Sequence, residues 1–596
     1  MTSTVDALDA TAAAAGWRSL SFPLNVYAAL LQLSEGRVDY LHYGLFADDD
    51  EAVHLAQERA SQRVWAHMPA PGCRVLEVGI GLGTTLNRLA QRGYRAVGIT
   101  PDAAQVAQVQ RRYGDSLEVQ TQRLEDVQPG AEPFDVMLLQ ESAQYIDPLA
   151  LFTAAHKLLS NNDAQLLVVD EFALRRDSSN DATLHLLSDF LDLAARFGWH
   201  VEVDEDLTAQ AAPTVAVLQG LSARFGPQVV QDLGIQAAQW QGLQAGLAQY
   251  ARSYAGGAFG YRLLSLRRRR RPPTQLLPLQ TDGAGMRELF SQVFKHVMPL
   301  QTWRWKYRPG LAHAVAMVGD DGALVAHYAG FSRPLQVLGK AVLGCQIGDV
   351  MVAPQADGSL ARHRALRQVT STFLERHIGW GRSHAIGFGF PNARAMAVAQ
   401  RLGLYEPVDH VLQLRWTGPA SWASPWPTEA LPADGSAWTA ELKLELLQLW
   451  QDMAAALPDA VLGVRDPDWL HWRYTQRPDV RYGLMLLRSR RLRKAMGLAV
   501  TRTHADGVEL LDLVAAPRRF AMLLNAVRVQ AAAAGQASVR AWITASHQHL
   551  LSAIDPLHLS VEDPKVTVPA NAHTAGPPAS LVRDRWFLMS GDADFT

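Results

Sequence analysis

The sequence predicts an α/β chain: a doubly wound, mainly parallel sheet in the N-terminal part, followed by two smaller α+β domains. Three observations predict it. From Arg74 to Phe172, apolar strand-like runs alternate with amphipathic helical runs, the order of a parallel sheet covered on both faces. Beyond Pro273 the strands become short, alternate apolar with polar residues, and turn at signals such as Asp320-Asp321-Gly322, as in antiparallel sheets. The order of that second part also occurs twice.

The bulk properties bound the rest. With 596 residues, roughly three to five domains are expected at about 100 to 200 residues each. Hydrophobic residues make up 48 % and charged residues 19 %, enough apolar content for large cores. A formal net charge of -2 argues against a protein dedicated to nucleic acid. Cys73 and Cys345 stand far apart, so no disulfide framework or cysteine zinc site is expected, and a reducing compartment fits. His471, His547 and His549 lack partners at ligand spacing, and no metal is expected. The N-terminus carries acids where a secretory signal carries bases, and no run of about 18 apolar residues exists. A cytoplasmic protein without a membrane span is the expectation.

In the N-terminal part, "RVLEV" (Arg74–Val78) reads as a buried strand and "GIGLGTT" as a glycine loop. "TLNRLAQRG" has Leu86, Leu89 and Ala90 at helical spacing, and "YRAVGIT", "FDVMLLQ" and "AQLLVVDEF" are further strands. Doubly wound sheets bind ligands beyond the carboxyl ends of their strands. The loop is Gly79-x-Gly81-x-Gly83, with Glu77 before it and Thr84 where a dinucleotide fingerprint needs its third glycine. A carboxylate there suits a positively charged ligand better than a pyrophosphate.

"VLEVGIGLGTT" resembles motif I of class I S-adenosylmethionine-dependent methyltransferases, Rossmann-like enzymes, and the resemblance spans roughly Tyr40 to Leu266. "YLHYGLF" (Tyr40–Phe46) resembles the opening motif of small-molecule methyltransferases related to cyclopropane-fatty-acid synthases. "GITPDAAQ", "RLEDV", "LQESAQYID" and "GGAFGYRLLSLRR" follow in the family's order. The resemblance implies S-adenosyl-L-methionine as cofactor. Glu77 would hold its methionine amino end, and Gly79, Gly81 and Gly83 would let it pass. Thr100 and Gln105 would take the ribose side, Glu125 the adenine edge, and Gln140 and Tyr43 further walls. Glu141 and Tyr145 would face the substrate as catalytic residues, and Gln144 replaces a second acid of the cyclopropane-synthase relatives. Methyl transfer asks mainly for alignment and exclusion of water. The apolar "FPLNVYAALLQL" reads as a lid over that site or as plain packing.

The second part resembles the GCN5-related N-acetyltransferase (GNAT) fold, most specifically at "GFPNARA" and "DVMVAP". The resemblance implies acetyl-CoA or another acyl-CoA. Val350 and Val352 would pair with its pantetheine arm, Gln355, Gly358 and Ser359 would hold its pyrophosphate, and Asn392 would line the acyl end. Leu360 and Ala399 depart from the family pattern, at a phosphate-facing position and at its usual tyrosine; Tyr405 sits further on and is not equivalent. "WRWKYRPG" (Trp303–Gly310) returns as "WLHWRYTQRPD" (Trp469–Asp479), and "GDVMVAP" as "LDLVAAP". The second copy lacks the glycine loop.

The expected organisation is therefore residues 1–271 as methyltransferase, 272–420 as a GNAT-like domain and 430–596 as a second, degenerate copy. The expected function is a bifunctional methyltransferase and N-acyltransferase acting on a small molecule. Two alternatives stay open: methyl transfer alone with silent GNAT-like domains, and a nucleic-acid-modifying methyltransferase. Arg267 to Arg271, before Pro272 and Pro273, read as a solvated seam after a strand ending at Leu266.

Overall fold

A computed structural model of the chain describes residues 16–48, 51–160, 163–177, 184–269, 272, 274–279, 283–354, 358–418, 426–436 and 438–593. The chain forms two compact units, the first reaching Leu277 and the second running from Pro278.

The first unit holds β1 (Arg74–Val78), β2 (Arg95–Thr100), β3 (Glu118–Thr121), β4 (Val136–Gln140), β5 (Gln165–Ala173), β6 (Trp199–Asp206) and β7 (Phe259–Arg268). Their order is β3-β2-β1-β4-β5-β7-β6. Strands β1 to β5 pair in parallel, and β7 runs antiparallel between β5 and β6. The order reverses between β1 and β4, the switch point where such sheets open a crevice. All nine residues of β5 are buried, as the apolar run requires. Asp102 and Asp147 cap the helices Ala103–Tyr113 and Pro148–Leu158, accepting from the N–H of Ala104 and Ala150.

The N-terminal apolar stretch forms the helix Leu24–Glu35. It buries Val26, Ala28, Ala29 and Leu30 against Val215, Leu218 and Val229 of the helix Pro213–Leu233. Its other side, with Leu24 and Tyr27, lines a cavity at the switch point, so the stretch serves as both packing and cover.

The arginine run corrects one expectation. Strand β7 does not stop at Leu266 but continues through Arg267 and Arg268. Arg267 pairs with Glu202 at 3.0 Å. Arg268 is 1 % exposed, lies 4.5 Å over the Trp199 ring and donates to the Ala155 carbonyl at 3.0 Å. Charge-assisted bonds and a ring face replace the water it loses. Arg270 and Arg271 lie outside the described residues.

Strand β8 (Thr274–Pro278) ends where the second unit begins. That unit repeats one order twice. Helices Ala284–Phe294 and Leu300–Lys306 precede β9 (Ala312–Gly319), β10 (Leu324–Val337) and β11 (Lys340–Val352). The helix Gly358–His377, β12 (Ile386–Phe388), the helix Ala393–Arg401 and β13 (Tyr405–Thr417) follow. After β14 (Thr428–Leu431), the helices Ala440–Ala456 and Pro467–Thr475 flank β15 (Val461–Gly463). Next come β16 (Gly483–Arg488), β17 (Ala495–His504), β18 (Gly507–Val514), the helix Phe520–Ala533 and β19 (Ser538–Thr544). Strands β20 (Leu559–Glu562), β21 (Thr567–Asn571) and β22 (Trp586–Phe587) close the chain.

The two copies exchange strands. Val411–Thr417 of β13 pairs antiparallel with β19 of the second copy, and Tyr405–His410 pairs with β21. In return, β15 and β22 extend the sheet of the first copy beside β10. At the junction, Trp305 and Trp472, equivalent in the repeat, stack with centroids 4.9 Å apart. Each indole donates to the other's carbonyl, at 3.0 and 3.4 Å. The aromatic motifs are thus the seam between copies, in line with a packing role.

Candidate functional site

Two cavities lie where the sequence places chemistry. The first, about 1150 Å³, opens at the switch point of the N-terminal sheet. Glu77, Gly79, Gly81, Thr100, Gln105, Glu125, Gln140, Glu141, Tyr145 and Tyr43 all line it, although they come from five separate segments. Gly83 sits just behind, capping the helix Thr84–Gln91.

The glycines have individual reasons. Gly79 has φ +82°, and a Cβ there would lie 2.6 Å from the Ser142 Cβ. Ser142 is held by donation to the Val78 carbonyl, so it cannot yield. At Gly83 a Cβ would meet Val109 at 2.8 Å. Gly81 has nothing within 4 Å of such an atom, which leaves its backbone open to a ligand.

Glu77 is 3 % exposed, and its Oε2 is buried with no hydrogen-bond partner. Burial pushes its carboxyl up to about 8. The Gln140 Nε2 is also buried without a partner. Thr100 donates to Gln105 at 2.9 Å, so these two side chains brace each other. Glu125 is exposed and accepts from Arg123 at 3.0 Å. The Tyr145 ring is 79 % exposed at the mouth.

Glu141 follows β4 with φ +54°, a conformation side chains rarely adopt. Its Oε1 accepts from the Tyr43 N–H and the Tyr261 hydroxyl, both at 2.6 Å. Burial raises its carboxyl well above the usual range, against the Tyr261 bond that favours the charged form. Tyr43 and Tyr261 stack at 5.7 Å. His42 is held neutral by burial, down to about 4.

Sequence reasoning missed two acids of β5. Asp170 accepts from the Gln144 N–H and side-chain amide, each at 3.0 Å. Glu171 accepts from the Tyr254 hydroxyl at 2.5 Å and lines the cavity. Burial pushes both carboxyls up to about 7. Two acids inside an otherwise apolar strand were the available signal.

The second cavity, about 770 Å³, belongs to the first GNAT-like copy. Pairing of β11 with β12 covers only Gly344 to Gln346, so β11 diverges from Ile347 onward. Asp349 has φ +49° and takes Lys306 and the Tyr307 hydroxyl on its two oxygens, each at 2.7 Å. Val350 lines the cavity and is 37 % exposed; Val352 lies on the same strand outside the lining. Asn392 lines the cavity and caps the helix Ala393–Arg401, accepting from Ala395 at 3.0 Å. Gly358 and Ser359 begin the helix Gly358–His377, and Gln355 lies outside the described residues. Tyr405, set aside in the sequence, hydrogen-bonds Tyr328 between hydroxyls at 2.7 Å, and both line the cavity.

The second copy shows the same divergence, but it is filled. Pairing of β18 with β19 covers Val508 to Leu510 only. Met589–Ala593 enter beyond it: a Cβ on Gly591 would lie 2.9 Å from the Leu511 carbonyl oxygen. Asp592 takes Arg465 at 2.5 Å and Arg333 at 3.2 Å, and Arg465 also pairs with Asp512 at 2.8 Å. Asp512 accepts from Tyr474 as Asp349 does from Tyr307, the repeat equivalents.

Residues 75–162 match the family described as a methyltransferase domain, and residues 280–408 the family described as an acetyltransferase (GNAT) domain. The chain therefore carries both domains and is a transferase. No curated protein matches it. Among solved structures it is similar to the cyclopropane synthase MmaA2 from Mycobacterium tuberculosis, at 19 % identity and TM-score 0.33, covering 43 % of this chain and 94 % of that one. It is similar to geranyl diphosphate C-methyltransferase from Streptomyces coelicolor A3(2), at 18 % identity and TM-score 0.31, over 38 % of this chain and 92 % of that one. It is also similar to a conserved protein of unknown function from Enterococcus faecalis V583, a probable N-acyltransferase by its description, at 13 % identity and TM-score 0.39, over 50 % of this chain and 71 % of that one. Among the described residues no helix is long and apolar enough to cross a membrane, and no cluster of three metal-ligating side chains occurs.

Proposed function

We propose that the chain methylates a small molecule at the first cavity, using S-adenosyl-L-methionine, and transfers an acyl group from acetyl-CoA or another acyl-CoA at the second. The observation that carries the first half is Glu77: a buried carboxylate oxygen without a partner, beneath a glycine loop, in a cavity of ligand size. The amino group of the cofactor's methionine end would supply the missing partner. Gly81 would admit the cofactor backbone-first, the Thr100–Gln105 pair would meet its ribose, and Glu125 its adenine edge. The buried Gln140 amide would donate to it. When bound, the cofactor supplies a methyl group already activated on a sulfonium. The chain's own task is to align the acceptor and exclude water. Glu141 holds the acceptor side, and Tyr145 covers the mouth.

For the second half, divergent β11 offers unpaired backbone groups to a pantetheine arm. Tyr405, buttressed by Tyr328, takes the place of the tyrosine absent at Ala399. Burial raises the Tyr405 hydroxyl far above neutrality, so it stays protonated and able to donate to a leaving thiolate. The second copy builds the wall, contributing Arg477 and Asp479 to the lining. We place the chain in the cytoplasm acting on a metabolite, with Arg267 and Arg268 engaged inside the protein rather than on nucleic acid.

The test is thermal unfolding of the full chain with S-adenosylmethionine, S-adenosylhomocysteine or acetyl-CoA, since a ligand of the native state must raise its stability. All three compounds should raise Tm. Glu77→Gln should remove the response to the first two and keep that to acetyl-CoA. No shift at saturating S-adenosylhomocysteine would overturn the methyltransferase reading.

A further inference from the structure

Resting on that methyltransferase reading, we infer that the methyl acceptor is a cationic amine, held by Glu141 and Glu171 among the tyrosines of the first cavity. The acceptor side of the cavity is lined by Glu141, Glu171, Tyr27, Tyr43, Tyr145 and Tyr250. Among the described residues, the one arginine that lines it is Arg123, which pairs with Glu125, and no lysine lines it. The hydrogen bonds to Glu141 and Glu171 come from neutral donors: the Tyr43 N–H and the hydroxyls of Tyr261 and Tyr254. Behind them Asp170 is held by Gln144, also neutral. His42 is neutral as well.

Two carboxyl groups taken out of water resist ionisation, and a cationic ligand would offset the cost of charging them, as a neutral or anionic one would not. Independently, the unpartnered Oε2 of Glu77 faces the same cavity and asks for a second donor. The cofactor's amino group answers Glu77; it does not answer Glu141 and Glu171. Tyrosine faces attract ammonium groups and give little to anions. Glu141 is also held at φ +54°, a conformation kept only where surrounding structure fixes it. Here two hydrogen bonds aim its carboxyl.

The chemistry balances without a further reagent. An acceptor ammonium that carries N–H loses one proton to the Glu171 carboxylate, which lines the cavity. The freed nitrogen lone pair forms the N–C bond. The methyl carbon–sulfur bond breaks, and its electron pair stays on sulfur as the neutral thioether.

The experiment uses the full chain saturated with S-adenosylhomocysteine. Calorimetry compares two matched pairs: choline with 3,3-dimethylbutan-1-ol, and tyramine with tyrosol. Charge is the main difference within each pair. At least one cation should bind tenfold tighter than its neutral partner, and 4-hydroxyphenylacetate should bind more weakly than either member of the tyramine pair. The preference should drop at least fivefold in Glu171→Gln and in Glu141→Gln, with S-adenosylhomocysteine affinity within threefold of the parent. Tyr254→Phe, which loosens Glu171 but keeps its charge, should retain the preference and guards against a folding defect in the acid variants. Equal binding within both pairs, or tighter binding of the carboxylate, overturns the inference while leaving the methyltransferase reading intact. Failure of S-adenosylhomocysteine to bind overturns that reading instead.

Discussion

At the residue scale, the first cavity turns on groups whose chemistry is incomplete alone. Glu77 carries a carboxyl pushed up to about 8 from 4.5. Between those values the native state holds a proton that the unfolded chain has released, so this residue makes stability fall as pH rises from about 4.5 to about 8. Glu77→Gln should therefore flatten the pH dependence of Tm in the ligand-free protein, and it should weaken S-adenosylhomocysteine at least tenfold. Thermal scans at pH 6 and pH 8 check both. Gly79→Ala places a Cβ 2.6 Å from Ser142 at φ +82°, and should cost about 1–3 kcal/mol in denaturant unfolding along with the cofactor response. These residues were legible because a glycine loop with its acid is a local pattern. Asp170, Glu171, Tyr254 and Tyr261 were not. Periodicity reports that β5 is buried, but it does not say which distant hydroxyls meet its acids. The Tyr328–Tyr405 pair escaped for the same reason, being a contact 77 residues apart.

At the element scale, the repeat was legible and the exchange was not. Trp305-Lys306-Tyr307 and Trp472-Arg473-Tyr474, each followed by a strand aspartate, mark equivalent places in two copies. The pairing of β13 with β19 joins strands more than 100 residues apart, and both copies carry strands apolar enough to serve either partner. The solvated reading fails at Arg268 for a related reason: nothing in the local sequence shows that the Trp199 ring lies beneath it. Asp592 offers the clearest test of the interlock. It sits between Arg465 and Arg333, all of them 4 % exposed or less. Asp592→Ala leaves two guanidinium groups short of a counter-charge and should destabilise by about 3–5 kcal/mol, measured by urea unfolding. Asp563→Ala, at an exposed pair with Lys565, should change stability by less than about 1 kcal/mol.

At the scale of the whole molecule, the two proposed transferase sites and one filled cleft give a definite stoichiometry. Acetyl-CoA should bind one per chain, not two, because Met589–Ala593 occupy the second copy's divergent strands. Isothermal titration gives that number directly, and a value near two would refute the assignment of the cleft. Tyr405→Phe should lower acyl transfer at least tenfold with acetyl-CoA binding unchanged, since only the donated proton is removed.

The strand exchange also sets a schedule for synthesis. Strand β13 is complete at Thr417, but its partner β19 begins at Ser538. About 120 residues must leave the ribosome in between, which at about 5–20 residues per second takes roughly 6–24 s. Throughout that interval the nascent chain presents an open β-edge bearing Val411, Leu414 and Trp416, all later buried. Overexpression that crowds such chains together should therefore yield aggregates, which slower translation or lower temperature relieves.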